Sequence, residues 1–156
     1  MSEAINEQEQ PAFSIEKLYV KDLSLEVPNA PNVFLEKEGP SINVELNNAA
    51  SAIGEGLYSV VLTVTVTAKR EDKTFFLVEA GQAGIFQIRN VPQEGIDAIL
   101  GVTCPTILFP YVREVISDAI NRAGFPPVLL APVNFEALYQ QRAEQAAQQP
   151  APTAIQ

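Results

Sequence analysis

A two-residue alternation between positions 58 and 69, broken at Val61, constrains this chain more than any other feature. Tyr58, Val60, Leu62, Val64 and Val66 are apolar, while Ser59, Thr63, Thr65, Thr67 and Lys69 lie between them. Successive side chains of a strand point to opposite faces, so such a run buries one face and leaves the other to water. The β-branched valines and threonines suit that pleated, half-covered surface. A shorter run repeats the pattern, with Ile42, Val44 and Leu46 against Asn43, Glu45 and Asn47. Near the start, Phe13, Ile15, Tyr19, Leu23, Leu25 and Val27 occupy odd positions, opposite Ser14, Glu16, Asp22, Ser24 and Glu26. Pro28-Asn29-Ala30-Pro31 ends that strand and opens a long connection.

A polar turn, Arg70-Glu71-Asp72-Lys73, leads into a fourth strand from Phe75 to about Arg89. Strands joined largely by short turns pair antiparallel. In the fourth strand Phe75, Phe76, Leu77 and Val78 are apolar in succession, so both faces ask for cover. The chain's own helices can cover one face, and a partner is expected on the other. Gly81-Gln82-Ala83-Gly84 falls inside this strand and reads as a bulge or a close backbone approach.

After Val91-Pro92 the apolar period lengthens to that of a helix. Leu108, Val112, Val115, Ile116, Ala119 and Ile120 form one stripe, with Arg113, Glu114, Asp118 and Arg122 opposite. Gly124 is placed to cap this helix, and Pro126-Pro127 prevents its continuation. An apolar connector, 128–133, precedes Asn134, an N-cap for a short last helix bearing Phe135, Leu138 and Tyr139. The fold class is therefore α+β: a four-stranded antiparallel sheet followed by a long helix and a short C-terminal helix.

The 156 residues fit one domain, expected over 12–142 between an acidic, flexible arm (1–11) and a Gln/Ala/Pro-rich disordered tail (143–156). No apolar run approaches the roughly 18–20 residues of a membrane span. The start of the chain is acidic where a secretory signal would be basic, which predicts a cytoplasmic protein. The net charge of −9 disfavours nucleic acid and anionic lipid, so neither nucleic-acid binding nor membrane insertion is expected.

The chain has no histidine and a single cysteine, Cys104. That removes the usual zinc and haem ligands, any internal disulfide, and Ser-His-Asp or Cys-His catalysis. No P-loop occurs. Asp22 and Glu26, four apart on a strand, stand roughly 13 Å apart, too far to share a proton. No catalytic residue, metal or cofactor is assigned. Binding remains, because the Phe34 connection, the 128–133 connector and the last helix carry more apolar surface than one small sheet covers.

Four segments carry a resemblance: Asp22-Leu-Ser-Leu-Glu26-Val-Pro-Asn-Ala-Pro31; Gly84-Ile-Phe; Cys104-Pro-Thr-Ile-Leu-Phe-Pro-Tyr-Val-Arg-Glu114; and Leu130-Ala-Pro-Val-Asn-Phe-Glu-Ala-Leu138. In that order they closely resemble the SecB family of protein-export chaperones, from about Phe13 to Leu138. The resemblance implies a homotetramer, a dimer of dimers with long helices between two eight-stranded sheets. It implies an ATP-independent holder of unfolded secretory precursors that delivers them to the SecA translocase ATPase. By the same resemblance Ile42, Val44 and Leu46 line a peptide groove, with Tyr139 opposite and Phe135 and Leu138 beside it. Asp22, Glu26, Leu77 and Glu79 match a flat surface for a basic, zinc-holding tail on SecA. Val78, Ala80 and Gln82 match positions tied to dimer–tetramer association. Where members of the family often carry an aromatic before the second strand, this chain has Glu38-Gly39. Two rivals stay open at this point: a general holding chaperone for aggregation-prone proteins or an antitoxin, and a carrier of apolar small molecules.

Overall fold

The computed structural model describes residues 10–148. Most of the expected acidic arm and the end of the expected tail lie outside the described residues. Four strands form one sheet: β1 (Ala12–Glu26), β2 (Ser41–Gly54), β3 (Leu57–Arg70) and β4 (Lys73–Arg89). A single 3-10 turn (Asn32–Leu35) interrupts the β1–β2 connection. The helices are α1 (Gln93–Ala98), α2 (Cys104–Arg122) and α3 (Phe135–Gln148), with a π-turn over Ile99–Thr103 joining the first two.

The strand order is β1-β4-β3-β2, antiparallel throughout. β2, β3 and β4 are consecutive hairpins, turned at Gly56 (φ +69°) and at Glu71 (φ +54°). The long 28–40 connection carries the chain across the sheet, so the first strand pairs with the last. Glu36 and Glu38 on it form ion pairs with Lys73 and Arg70 at the β3–β4 turn.

One face of the sheet carries α2. Val60, Leu62, Val64, Val66 and Ala68 of β3 are fully buried there, with Phe76, Val78, Ala80 and Phe86 of β4. From above, α2 adds Leu108, Val112, Ile116 and Ile120, each fully buried, at the spacing of one helical stripe. Gly124 (φ +94°) ends the helix, and the amide of Phe125 closes back on the Ile120 carbonyl. The aromatic ring of Phe125 then packs between Phe34, Phe75 and Phe76.

Three expectations change. The odd-position alternation of β1 does not run unbroken. Register shifts between Ile15 and Lys17 and between Val20 and Asp22 place Leu18 and Val20 on the helix side and turn Tyr19 to the open face. A one-residue bulge reverses every side chain beyond it, and a second bulge restores the pattern. The later bulge faces Gly81 and Gln82, while at Gly84 a Cβ would fall 2.6 Å from the Phe86 ring. The helical stretch Gln93–Arg122 spans 30 residues and contains a window long and apolar enough to cross a membrane, contrary to the reading of short runs. Its apolar stripe is instead the one packed on β3 and β4. Finally, α3 continues to Gln148, past the tail boundary at 143. The added turn consists of Ala143, Ala146 and Ala147 with Glu144, Gln145 and Gln148, all good helix formers.

Candidate functional site

The candidate groove forms where the helix side of β2 runs out from under α2. Val44 and Leu46 pair with Val66 and Val64 of β3, so all four share one face. The β3 partners are sealed by α2, yet Val44 is 41% exposed. The second wall is α3. Asn134 caps it, its Oδ1 accepting from the Ala137 amide at 3.0 Å. Phe135 then buries its ring edge-on against Phe109 of α2, 6.0 Å between centroids, and fixes the helix in place. Positions three, four and seven residues later, Leu138, Tyr139 and Arg142, fall on the side facing β2.

Between these walls lies an open, mainly apolar pocket of about 270 Å³. Val44, Leu46, Phe135, Leu138 and Tyr139 all line it. Ile42 does not: it lies one step further along the same face of β2, 43% exposed. The structure thus places five of the groove residues together and leaves the sixth beyond the rim.

Leu62, Asn48, Gly101 and Arg142 complete the lining and were not singled out for the groove from the sequence. Gly101 sits in the π-turn, where a Cβ would come 2.6 Å from the Tyr139 ring, so the absent side chain lets that ring approach the backbone closely. A glycine inside a helical pattern was the available signal. Asn48 continues the 42-44-46 series as its polar member. Its Nδ2 donates to the Leu100 carbonyl at 3.1 Å, while Oδ1 is buried without a hydrogen-bond partner among the described residues. An unpaired buried acceptor of this kind costs about 1–3 kcal/mol.

Around Glu38-Gly39 the wall is open. A Cβ at Gly39 meets nothing within 4 Å, and Glu38 turns to Arg70. Apolar surface nearby comes instead from Phe34 and Leu35, 49% and 80% exposed.

On the opposite face, Asp22, Glu26, Leu77 and Glu79 come together. β1 and β4 are neighbours, and the register sets Glu26 against Leu77, Ser24 against Glu79, and Asp22 against Gly81. Glu79 accepts a hydrogen bond from Thr65 Oγ1 at 3.1 Å. Among the described residues, the ion pairs join Arg70 to Glu38, Lys73 to Glu36 and Arg122 to Asp118, and none involves these acids.

Val78, Ala80 and Gln82 need correction as a contact surface. Val78 and Ala80 are 1% exposed, buried beneath α2 in the chain's own core. Their even positions face the helix, and the partly polar odd positions face outward. Only Gln82 reaches the margin of α2, lining a shallow depression with Val20, Tyr111 and Val115. Cys104 is also buried under the sheet, and burial pushes its thiol up to about 12.

The family profile described as "Preprotein translocase subunit SecB" matches residues 6–146. A protein-export protein SecB of Methylobacillus flagellatus is 67% identical over 145 residues, 92% of each chain. One of Dechloromonas aromatica is 59% identical over 152 residues, 97% of this chain and all of that one. Among solved structures, a Mycobacterium tuberculosis SecB-like chaperone in complex with an antitoxin peptide superimposes with a TM-score of 0.63 at 19% identity, covering 78% of this chain and 87% of that one. At that identity the likeness speaks for the fold.

Proposed function

The chain belongs to the SecB family of protein-export chaperones, and we propose that it holds unfolded secretory precursors in the groove between β2 and α3 and passes them to the SecA ATPase. The observation that carries this reading is the apolar pocket built from Val44, Leu46, Leu138 and Tyr139 on surface that α2 leaves uncovered. Apolar contact is non-directional, so such a surface accepts many sequences without choosing among them. Binding of this kind uses no nucleotide and breaks no bond; the chain acts as a holder and not as an enzyme. Release follows when a tighter or ATP-driven partner takes the precursor.

Work in the cytoplasm as a homotetramer, a dimer of dimers, completes the proposal. β1 supports it: among the described residues the strand has an unpaired outer edge, and Phe13, Ile15, Leu23 and Leu25 on its helix side are 38–50% exposed. Several grooves on one assembly multiply weak contacts by raising effective concentration. Asp22, Glu26, Leu77 and Glu79, gathered on the open face of β1 and β4, suit a basic docking segment of the motor.

Suppression of aggregation of an unfolded precursor tests the groove. Replacing Val44 and Leu46 by Ser removes about 1–2 kcal/mol of apolar contact per site that the client buries. Capture should fall sharply, while the folded state and SecA binding stay as they were. Unchanged capture by a folded double variant would move the client site elsewhere. Absence of SecA binding in the unaltered protein would favour the general holding chaperone.

A further inference from the structure

The helix side of β2 reads Ile42, Val44, Leu46, Asn48, Ala50, apolar except at one position. A leucine or alanine at 48 would continue the series and avoid burying an amide. The amide that is present is half-satisfied. Nδ2 holds the Leu100 carbonyl of the π-turn, which fixes the orientation of the group and turns Oδ1 to the other side. That oxygen is sealed from water and meets no donor among the described residues. A buried acceptor without a donor destabilises the folded chain, and its persistence at a binding groove asks for a donor that arrives from outside.

The surroundings indicate where the donor enters. Two adjoining cavities, of about 270 and 480 Å³, meet at Asn48, Gly101, Tyr139 and Arg142. The Tyr139 ring rests on Gly101, one residue from the carbonyl that grips the amide. Tyr139 thus lies at the junction of the two cavities, where both are also lined by Asn48. The other lining side chains of the first cavity near this point offer no acceptor to a ligand N–H: Val44, Leu46 and Leu138 are apolar and Arg142 only donates. An extended polypeptide laid in an apolar groove keeps its main-chain N–H groups, and each loses water as its side chains are buried.

We infer that Asn48 Oδ1 is a main-chain anchor: it accepts a hydrogen bond from one backbone N–H of an extended client segment, beside Tyr139. This rests on the groove reading given above and adds to it a fixed polar point. Apolar contact alone holds a client at any register. One acceptor at a set depth favours registers that bring an N–H to it, and it reads no side chain. Proline, which has no N–H, is excluded at that one position.

A nine-residue peptide with leucines flanking a single phenylalanine, which sets its register, provides the probe. It is titrated calorimetrically alongside analogues that each carry one N-methyl group. On the unaltered protein one analogue should bind about five- to tenfold more weakly than its neighbours, the worth of one hydrogen bond. On Asn48→Leu the unmodified peptide should already bind that much more weakly, and the same N-methyl group should cause no further loss. Should Asn48→Leu not fold, Asn48→Ser, which keeps a shorter acceptor, should show a reduced penalty at the same position. A purely structural amide would lower the melting midpoint while leaving the analogue ranking as in the unaltered protein, and that result overturns the anchor. Val44→Ser with Leu46→Ser separates the two claims. If that variant binds the peptide normally, the groove reading itself fails. If it loses the peptide while the ranking ignores position 48, the anchor alone fails.

Discussion

The central and edge strands of this sheet share one pattern and meet opposite fates. On the helix side, Val60, Leu62, Val64 and Val66 of β3 are fully buried, while Ile42 and Val44 of β2 are 43% and 41% exposed, and Leu23 of β1 is 50% exposed. The residue types are alike and so is the period. The difference is width: one helix, α2, rests on β3 and β4 and leaves the margins bare. Burial at the centre therefore supplies stability, and the same chemistry at the margins leaves apolar surface open. α3 makes one margin a groove, and the margin at β1 remains an apolar strip beside an unpaired edge.

The largest effect that can break this comparison comes from placing a charge in each region. Val78→Arg puts an unpaired guanidinium under α2, at a cost of several kcal/mol, a large share of an ordinary domain's stability. Circular dichroism should show loss of the native fold, not a clean change of assembly. Leu23→Arg at the β1 margin should leave the fold intact and reduce association in sedimentation. If Val78→Arg stays folded and merely dissociates, position 78 touches another copy after all, and the assignment to the core is wrong.

Two phenylalanines in contact sharpen the point. Phe86 is fully buried, and Phe13 stacks on it at 5.7 Å while 39% exposed. Phe86→Ala should cost about 3–5 kcal/mol in urea unfolding at fixed protein concentration. Phe13→Ala should cost about 1 kcal/mol or less for the chain alone. A Phe13 effect that grows with protein concentration would mean that the β1 margin is covered by a second copy. Equal costs independent of concentration would erase the distinction between centre and margin.

Which parts of this division were legible follows from what periodicity encodes. The alternation of 58–66 and the stripe of 108–120 named the central layer, because burial there depends only on which face a residue occupies. The groove residues Val44, Leu46, Phe135, Leu138 and Tyr139 entered through the family resemblance, and the bare sequence supplied only their alternation and helical spacing. Strand order was not legible, since the 28–40 connection has no pattern that reveals where it crosses. The bulges of β1 were hidden because Tyr19 is amphipathic and fits either face. Asn48 and Gly101 escaped notice since each matters through a neighbour distant in sequence, Leu100 for one and Tyr139 for the other. Val78 also entered through the family resemblance, and the four successive apolar residues around it do not say which pair the chain covers itself.

A smaller effect tests how tightly the centre is closed. The Cys104 thiol is raised to about 12 from an ordinary value of 9.0 by burial. Its neutral form is favoured in the folded state, so this contribution to stability is fully present below about pH 9. It is lost as pH rises from there through about 12. At pH 8 iodoacetamide should leave the native chain unmodified and alkylate it only as urea unfolds it. Rapid alkylation without denaturant would show that α2 lifts from the sheet readily, and that centre and margin differ less than their burial indicates.

The smallest effect belongs to the other face, where exposed charges act without burial. Glu79 stands between Ser24 of β1 and Thr65 of β3, on the same face as Asp22 and Glu26. Lys17 shares that face only opposite Ile85, four β4 positions from Gly81, which pairs with Asp22, or roughly 13 Å along the strand. Glu79→Gln keeps an oxygen for the Thr65 hydroxyl and removes only the charge. Exposed pairs contribute about 0.2–1 kcal/mol, so SecA binding should weaken by no more than about fivefold at low salt. The loss should shrink as salt rises, since the screening length falls to about 3 Å at 1 M. Precursor capture, proposed for the β2–α3 groove across the sheet, should not change. If Glu79→Gln weakened capture and left SecA binding as it was, the two faces would have to exchange roles. The groove would then serve the motor, and the acidic face would hold the client.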